Sequence, residues 1–141
     1  MKSMMRAIVK SEAAPGAVLR SVPIPRVTRG SVLVEVLATA ICGTDLHIYD
    51  WTEWAQARIH TPMVFGHEFC GRVVEIGDGV TGLNVGDLIA GETHIPCGEC
   101  RQCRTGLQHV CQSMKILGVH TPGAFSEYAV VPQACAWRLP P

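Results

Sequence analysis

Hydrophobic positions in this chain come in short β-branched runs rather than at helical spacing. Residues 6–10, 31–38, 72–76, 87–90 and 126–131 form such runs, and turn residues such as Asp78-Gly79 and Pro122-Gly123 separate them. The run from Ser31 to Leu37 alternates partly, as a half-buried strand does. Strands at this spacing predict a mainly β chain folded as an antiparallel barrel or sandwich. Helix is expected only over residues 44–49, over 51–57, and in a short piece within 102–111. Trp51 and Trp54 stand three apart, on one helix face, and are read as core or interface residues.

Composition narrows the function classes. With 141 residues the chain is one domain long and can bury a real core. Twelve Lys and Arg balance twelve Asp and Glu, so there is no electrostatic case for nucleic acid or an anionic membrane as partner. No apolar run approaches the ~20 residues of a membrane span. The first residues carry no long apolar signal segment, so the seven cysteines are read as reduced thiols of a cytoplasmic protein. The odd count agrees with that, and Cys70 and Cys135, in strand-like context, are read as buried apolar residues.

Gly77, Gly79 and Gly82 satisfy the dinucleotide pattern G-x-G-x-x-G after a strand-like run. That mechanism needs a helix to start there and aim its N–H groups at a pyrophosphate. The following residues, Leu83 to Ala90, read instead as a turn and another strand. The glycines are a connection between strands, and the chain has no nucleotide-binding half.

Cys97, Cys100, Cys103 and Cys111 fall within fifteen residues as C-x2-C-x2-C-x7-C. Two-residue gaps turn successive thiolates toward one point, and a fourth closes a tetrahedron that suits Zn²⁺ in a structural site. A ferredoxin-type iron–sulfur run would end C-x3-C-P, whereas here the last gap is seven and Gln112 follows. Gly98 and Gly106 permit the tight turns, and Arg101 and Arg104 can offset thiolate charge. A second group is looser: Cys42, in Cys42-Gly43-Thr44-Asp45-Leu46-His47, precedes His67 of Gly66-His67-Glu68 by 25 positions. A thiolate and an imidazole from separate loops can share a catalytic zinc with an open position. On spacing alone, a small buried cysteine and a core histidine are the commoner readings.

Gly66-His67-Glu68-x2-Gly71-x5-Gly77-x2-Val80 resembles the signature of the zinc-containing alcohol dehydrogenases, the medium-chain family. The Cys42 loop and the four-cysteine run resemble that family's metal motifs in the same order. Ala40 to Trp51, Trp54-Ala55-Gln56 and Gly91-Glu92 with His94 resemble its threonine-oxidising branch. The resemblance implies a GroES-like antiparallel β-barrel over residues 1–141, with a structural-zinc lobe at 91–113. A separate Rossmann domain that binds NAD is absent from this chain, so the chain is expected to be inactive alone. Two zinc ions are implied, one structural and one catalytic. Cys42 and His67 become catalytic zinc ligands, and Glu68 becomes a third ligand or a close neighbour of the metal. Asp45 becomes the carboxylate that accepts the ligand histidine's other N–H, or an N-cap for a helix starting near Leu46. Thr44 would hydrogen-bond the reacting oxygen, His47 would pass its proton to solvent, and His94 would line the substrate pocket. The implied partners are an alcohol or amino-acid substrate and the same enzyme's Rossmann domain, in a homotetramer. The alternatives are a polyol or secondary-alcohol dehydrogenase of the same family, or a zinc-stapled module without catalysis.

Overall fold

Ten strands and three short helices follow one another in the computed structural model, which describes residues 3–140. In chain order they are β1 (Met4–Lys10), β2 (Val18–Pro23), β3 (Ser31–Ala40), α1 (Gly43–Asp50), α2 (Glu53–Gln56), β4 (Met63–Val64) and β5 (Glu68–Ile76). Then come β6 (Leu88–Gly91), β7 (His94–Ile95), α3 (Arg101–Arg104), β8 (Lys115–Ile116), β9 (Tyr128–Pro132) and β10 (Ala136–Arg138). Single 3₁₀ turns cover Gln108–Val110 and Gln133–Cys135.

The strands form sheets of order β2-β1-β4, β10-β6-β5-β3-β9 and β7-β8, every pair antiparallel. A bridge from Ala7 to Ser126, with Ile8 N–H donating to Phe125 O at 2.8 Å, joins the first sheet to the segment leading into β9. The result is a curled antiparallel half-barrel with few helices, as the strand spacing predicts.

β3 explains why alternation in its sequence is only partial. It is hydrogen-bonded to β5 on one side and β9 on the other, and residues 31–34 are all buried. Both faces are covered there, so an unbroken apolar run is what the position requires. Its last four residues are exposed, and they run out toward the site described below. Val32, Val34, Phe69, Val73, Ile89, Leu117 and Val131 form the main core. A second cluster of Ile48, Ala55, Ile59, Phe65 and Val119 seats α1 and α2, and Trp51 and Trp54 pack against it as expected.

Several local expectations shift. β2 shows no apolar alternation because five of its six residues are exposed, so periodicity does not reveal it. Helix over 51–57 shrinks to Glu53–Gln56, since Trp51 takes a left-handed φ of 56° that ends α1 and Thr52 is the N-cap of α2. Asp45 is not an N-cap: Cys42 occupies that position, and Asp45 is the third residue of α1. Its carboxylate accepts the Cys42 N–H at 2.9 Å, closing a capping box. Cys135 is buried, but Cys70 is only half-buried, because its side of β5 is less covered than the Phe69 side. After the glycines at 77, 79 and 82 the chain turns and enters β6, with no helix at a phosphate-binding position. Among the described residues no helix is long and apolar enough to cross a membrane.

Candidate metal centres and their surroundings

The β3–β5 register builds the first site. Ala40, the last residue of β3, lies opposite Glu68, the first residue of β5. Cys42 leaves β3 just beyond this pair and His67 enters β5 just before it, so antiparallel pairing brings the two together. Cys42 Sγ, an imidazole nitrogen of His67 and a carboxylate oxygen of Glu68 lie within 4.8 Å of one another. His67 is buried, Cys42 half-buried and Glu68 exposed, so the group opens to one side.

Behind the histidine stands Asp45, 2% exposed, with Oδ1 3.6 Å from His67 Nδ1. Neither atom has a hydrogen-bond partner, although both are buried. Desolvation raises the Asp45 pKa, and the Cys42 N–H and His67 oppose that shift. With Nδ1 turned toward a carboxylate, Nε2 is the nitrogen left for a metal, and a buried imidazole–carboxylate pair is the usual backing of a metal-ligating histidine. The donor set of thiolate, imidazole and carboxylate fits Zn²⁺ and leaves room for a further ligand.

Three glycines that spacing alone did not single out hold His67 in place. Gly66 has φ +88°, and a Cβ there would enter the Phe125 ring. A Cβ on Gly118 or Gly123 would strike the Gly66 backbone, and Gly66 O accepts the Ala124 N–H at 2.8 Å. Phe125 also packs edge-on against Phe65, with centroids 5.1 Å apart. The segment before β9 thus lies directly on the backbone that presents the histidine. A Gly-rich stretch ahead of a strand was the available signal, but nothing local says what it touches.

The second cluster lies in the loop between β7 and β8. Cys97 Sγ is 3.9 Å from Cys103 Sγ, and Cys100 Sγ is 3.9 Å from Cys111 Sγ. These pairs are opposite edges of a tetrahedron, and Zn–S bonds of ~2.3 Å give edges of about 3.8 Å. Backbone N–H groups aim inward as well, Cys97 N at Cys111 Sγ and Cys100 N at Cys97 Sγ. N–H donation from Cys103 and then Gln112 lowers the Cys100 thiol to about 6, while desolvation raises Cys103 to about 12. Gly98 and Gly106 take positive φ, as the turns require. The geometry fits a closed zinc site, with no position left for a reactant.

The remaining sequence candidates lie on neighbouring elements. Thr44 is half-buried in the first turn of α1 and His47 is exposed one turn later, with Thr52 Oγ1 3.2 Å from its Nδ1. His94 is exposed in β7, and Glu92 Oε1 accepts both its backbone N–H at 2.9 Å and its ring nitrogen at 2.8 Å. Those bonds hold the Glu92 carboxyl below the usual glutamate range. His94 is thus tied to the strand that leads into the cysteine loop, and it lines a cavity with Glu92, His109 and Trp137.

A curled antiparallel half-barrel bearing one open and one closed metal-ligand cluster defines a GroES-like domain of the zinc dehydrogenase type. Residues 28–141 match the alcohol dehydrogenase GroES-like domain, and the chain belongs to that family. It is 55% identical over 140 residues to the L-threonine 3-dehydrogenase of Pyrococcus abyssi, covering 99% of this chain. It is 53% identical, again over 140 residues and 99% of the chain, to the protein of that name from Bacillus velezensis. The chain spans only 40% of the length of each. A zinc-binding dehydrogenase from Sinorhizobium meliloti, solved with NADP, superposes with TM-score 0.86 at 37% identity. An Escherichia coli alcohol dehydrogenase solved with NADH gives 0.87 at 37%. Each covers 99% of this chain and 39% of the solved one.

Proposed function

We propose that residues 1–141 are the catalytic domain of a cytoplasmic, zinc-dependent and NAD-dependent L-threonine 3-dehydrogenase. The complete protein would convert L-threonine and NAD⁺ to 2-amino-3-oxobutanoate, NADH and a proton. The observation that carries this reading is the convergence of Cys42 with the adjacent pair His67 and Glu68, 25 positions further along, beside the buried Asp45. The threonine dehydrogenases that match over nearly the whole chain support the choice of substrate.

Cys42, His67 and Glu68 would hold the catalytic zinc, and Cys97, Cys100, Cys103 and Cys111 the structural one. Zinc, when bound there, would supply Lewis-acid polarisation of the substrate hydroxyl, lowering its pKa toward neutrality. Around it the chain's own residues do the positioning. Asp45 fixes the tautomer of His67 and holds the Cys42 N–H, coupling two ligands through one carboxylate. Thr44, two residues after Cys42, hydrogen-bonds the reacting oxygen, and His47 on the next turn of α1 carries its proton to solvent. His94, steadied by Glu92, lines the approach for the substrate's charged groups. NAD is bound by a Rossmann domain outside this chain, and the complete enzyme assembles as a homotetramer.

Elemental analysis together with a threonine-dependent NADH assay on the complete protein tests this. Two zinc ions per chain and a higher kcat/KM for L-threonine than for sorbitol or 2,3-butanediol are expected. Equal turnover of the polyols would reassign the substrate, and a single zinc without turnover would leave a metal-stapled binding module.

A further inference from the structure

Thr52 is the N-cap of α2, a position where a threonine hydroxyl ordinarily accepts a hydrogen bond from the first turn of its helix. Here it makes no such bond. The hydroxyl turns back across the sharp bend at Trp51, and Oγ1 stops 3.2 Å from His47 Nδ1. The main chain repeats the attachment, since Thr52 N–H donates to His47 O at 3.2 Å. One residue thus grips both the backbone and the ring of His47. Trp54 flanks the same imidazole, with ring centroids 6.0 Å apart, and carries the Arg58 guanidinium 5.0 Å from its own ring centroid. α2 is therefore arranged around His47, while its own first turn goes without a side-chain cap.

We propose that Thr52 is a positioning residue that fixes the tautomer and orientation of His47; this rests on the proton-carrying role assigned to His47 above. A neutral imidazole has one N–H and one lone pair. If Nδ1–H donates to Thr52 Oγ1, the lone pair falls on Nε2, which is then free to accept the proton released by the substrate. When Nε2 takes that proton, the imidazolium keeps its Nδ1–H bond to Thr52, and solvent removes the proton from Nε2. No other group changes its bonding. Without the hydroxyl the two tautomers compete, and part of the population presents an N–H where a lone pair is needed.

The test has two arms. Long-range ¹H–¹⁵N spectra of this chain with zinc bound should show Nδ1 protonated and Nε2 bare in neutral His47. Thr52→Val should yield a tautomer mixture and Thr52→Ser the original pattern. In the complete enzyme, Thr52→Val should lower kcat about three- to tenfold, the loss of one hydrogen bond, with KM for threonine unchanged and Thr52→Ser restoring it. An Nε2-protonated wild type, or a Thr52→Val spectrum identical to wild type, overturns the proposal. The wild-type spectrum decides even if Thr52→Val fails to fold. The relay itself is tested separately: undiminished turnover by His47→Gln would remove the role of His47, whatever the tautomer.

Discussion

Asp45 Oδ1 faces His67 Nδ1 at 3.6 Å, with both groups buried and neither atom otherwise bonded. A carboxylate taken out of water without a full partner is costly, so the pair has a purpose beyond packing. A metal on the other face of the imidazole would polarise the Nδ1–H and make it a stronger donor.

Asp45→Asn should therefore weaken zinc at the open site by about 10- to 100-fold, the range for removing such a partner. The four-cysteine site should keep its affinity. Competition with a chromophoric chelator, followed as two phases of zinc release, measures both. Unchanged affinity of the first-released zinc would show that Asp45 serves only the helix capping box.

Gly123→Ala tests the support under His67. A Cβ at 123 would collide with Gly66 O and the Phe65 carbonyl, backbone atoms that cannot rotate away. Overpacking of this kind costs about 1–3 kcal/mol, and the displaced Gly66 carries His67 with it. Urea unfolding should show that loss together with weaker zinc at the open site. Gly82→Ala, where a Cβ meets open space at φ +76°, should show backbone strain but no effect on zinc.

The thiol environments give a pH-dependent result for the metal-free chain. Cys100 is held near 6 by N–H donation from Cys103 and Gln112, and desolvation pushes Cys103 to about 12. Because the folded value of Cys100 lies below that of an unfolded thiol, its thiolate contributes stability above the unfolded range and loses it as pH falls through 6. Cys103 behaves oppositely: its neutral thiol contributes below the unfolded range and loses this as pH rises toward 12. At pH 7.5 iodoacetamide should label Cys100 well before Cys103, and the Cys100 rate should level off above about pH 7. Peptide mass spectrometry of timed samples reads this directly. Equal labelling of all four cysteines would contradict it.

Lys10 closes the far end of α1. Its fully buried Nζ donates to the carbonyls of Ala14, Gly16 and Tyr49, the last two at 2.9 and 3.0 Å, and sits 5.1 Å from the Trp51 ring centroid. A cation at a helix C-terminus also meets the negative end of the helix dipole. Lys10→Met keeps the bulk but leaves the Ala14 and Gly16 carbonyls without a donor, while Tyr49 O retains the Gly16 N–H at 2.7 Å; the loss should be about 2–4 kcal/mol. Thermal unfolding measures it, and hydrogen exchange should rise over 43–50 before it rises in β3. A loss under ~0.5 kcal/mol would mean that water replaces the ammonium at these carbonyls.

The sequence by itself determined what is local. The strand runs around β1, β3, β5, β6 and β9 were legible because short β-branched stretches between turns admit few other conformations. The four-cysteine cluster was legible because gaps of two and seven residues confine its thiols to one loop. The glycines at 77, 79 and 82 were rightly read as a strand connection, because the residues after them show no helical pattern. Family motifs pointed to Cys42, His67 and Glu68, although their spacing alone did not. Tertiary structure decided everything that depends on which distant segments meet. Only the β3–β5 register, with Ala40 opposite Glu68, brings Cys42 to His67. Only the return of the 118–125 segment shows why Gly66 has no side chain, and only the left-handed bend at Trp51 carries Thr52 to His47. The helix over 44–49 was legible to within one residue at each end, but its cap is Cys42 and not Asp45, and local propensity gave no sign of exposed β2. The physical reason is the same in each case: hydrogen-bond register and side-chain packing act between segments, and a one-dimensional pattern records only the residue's own neighbours.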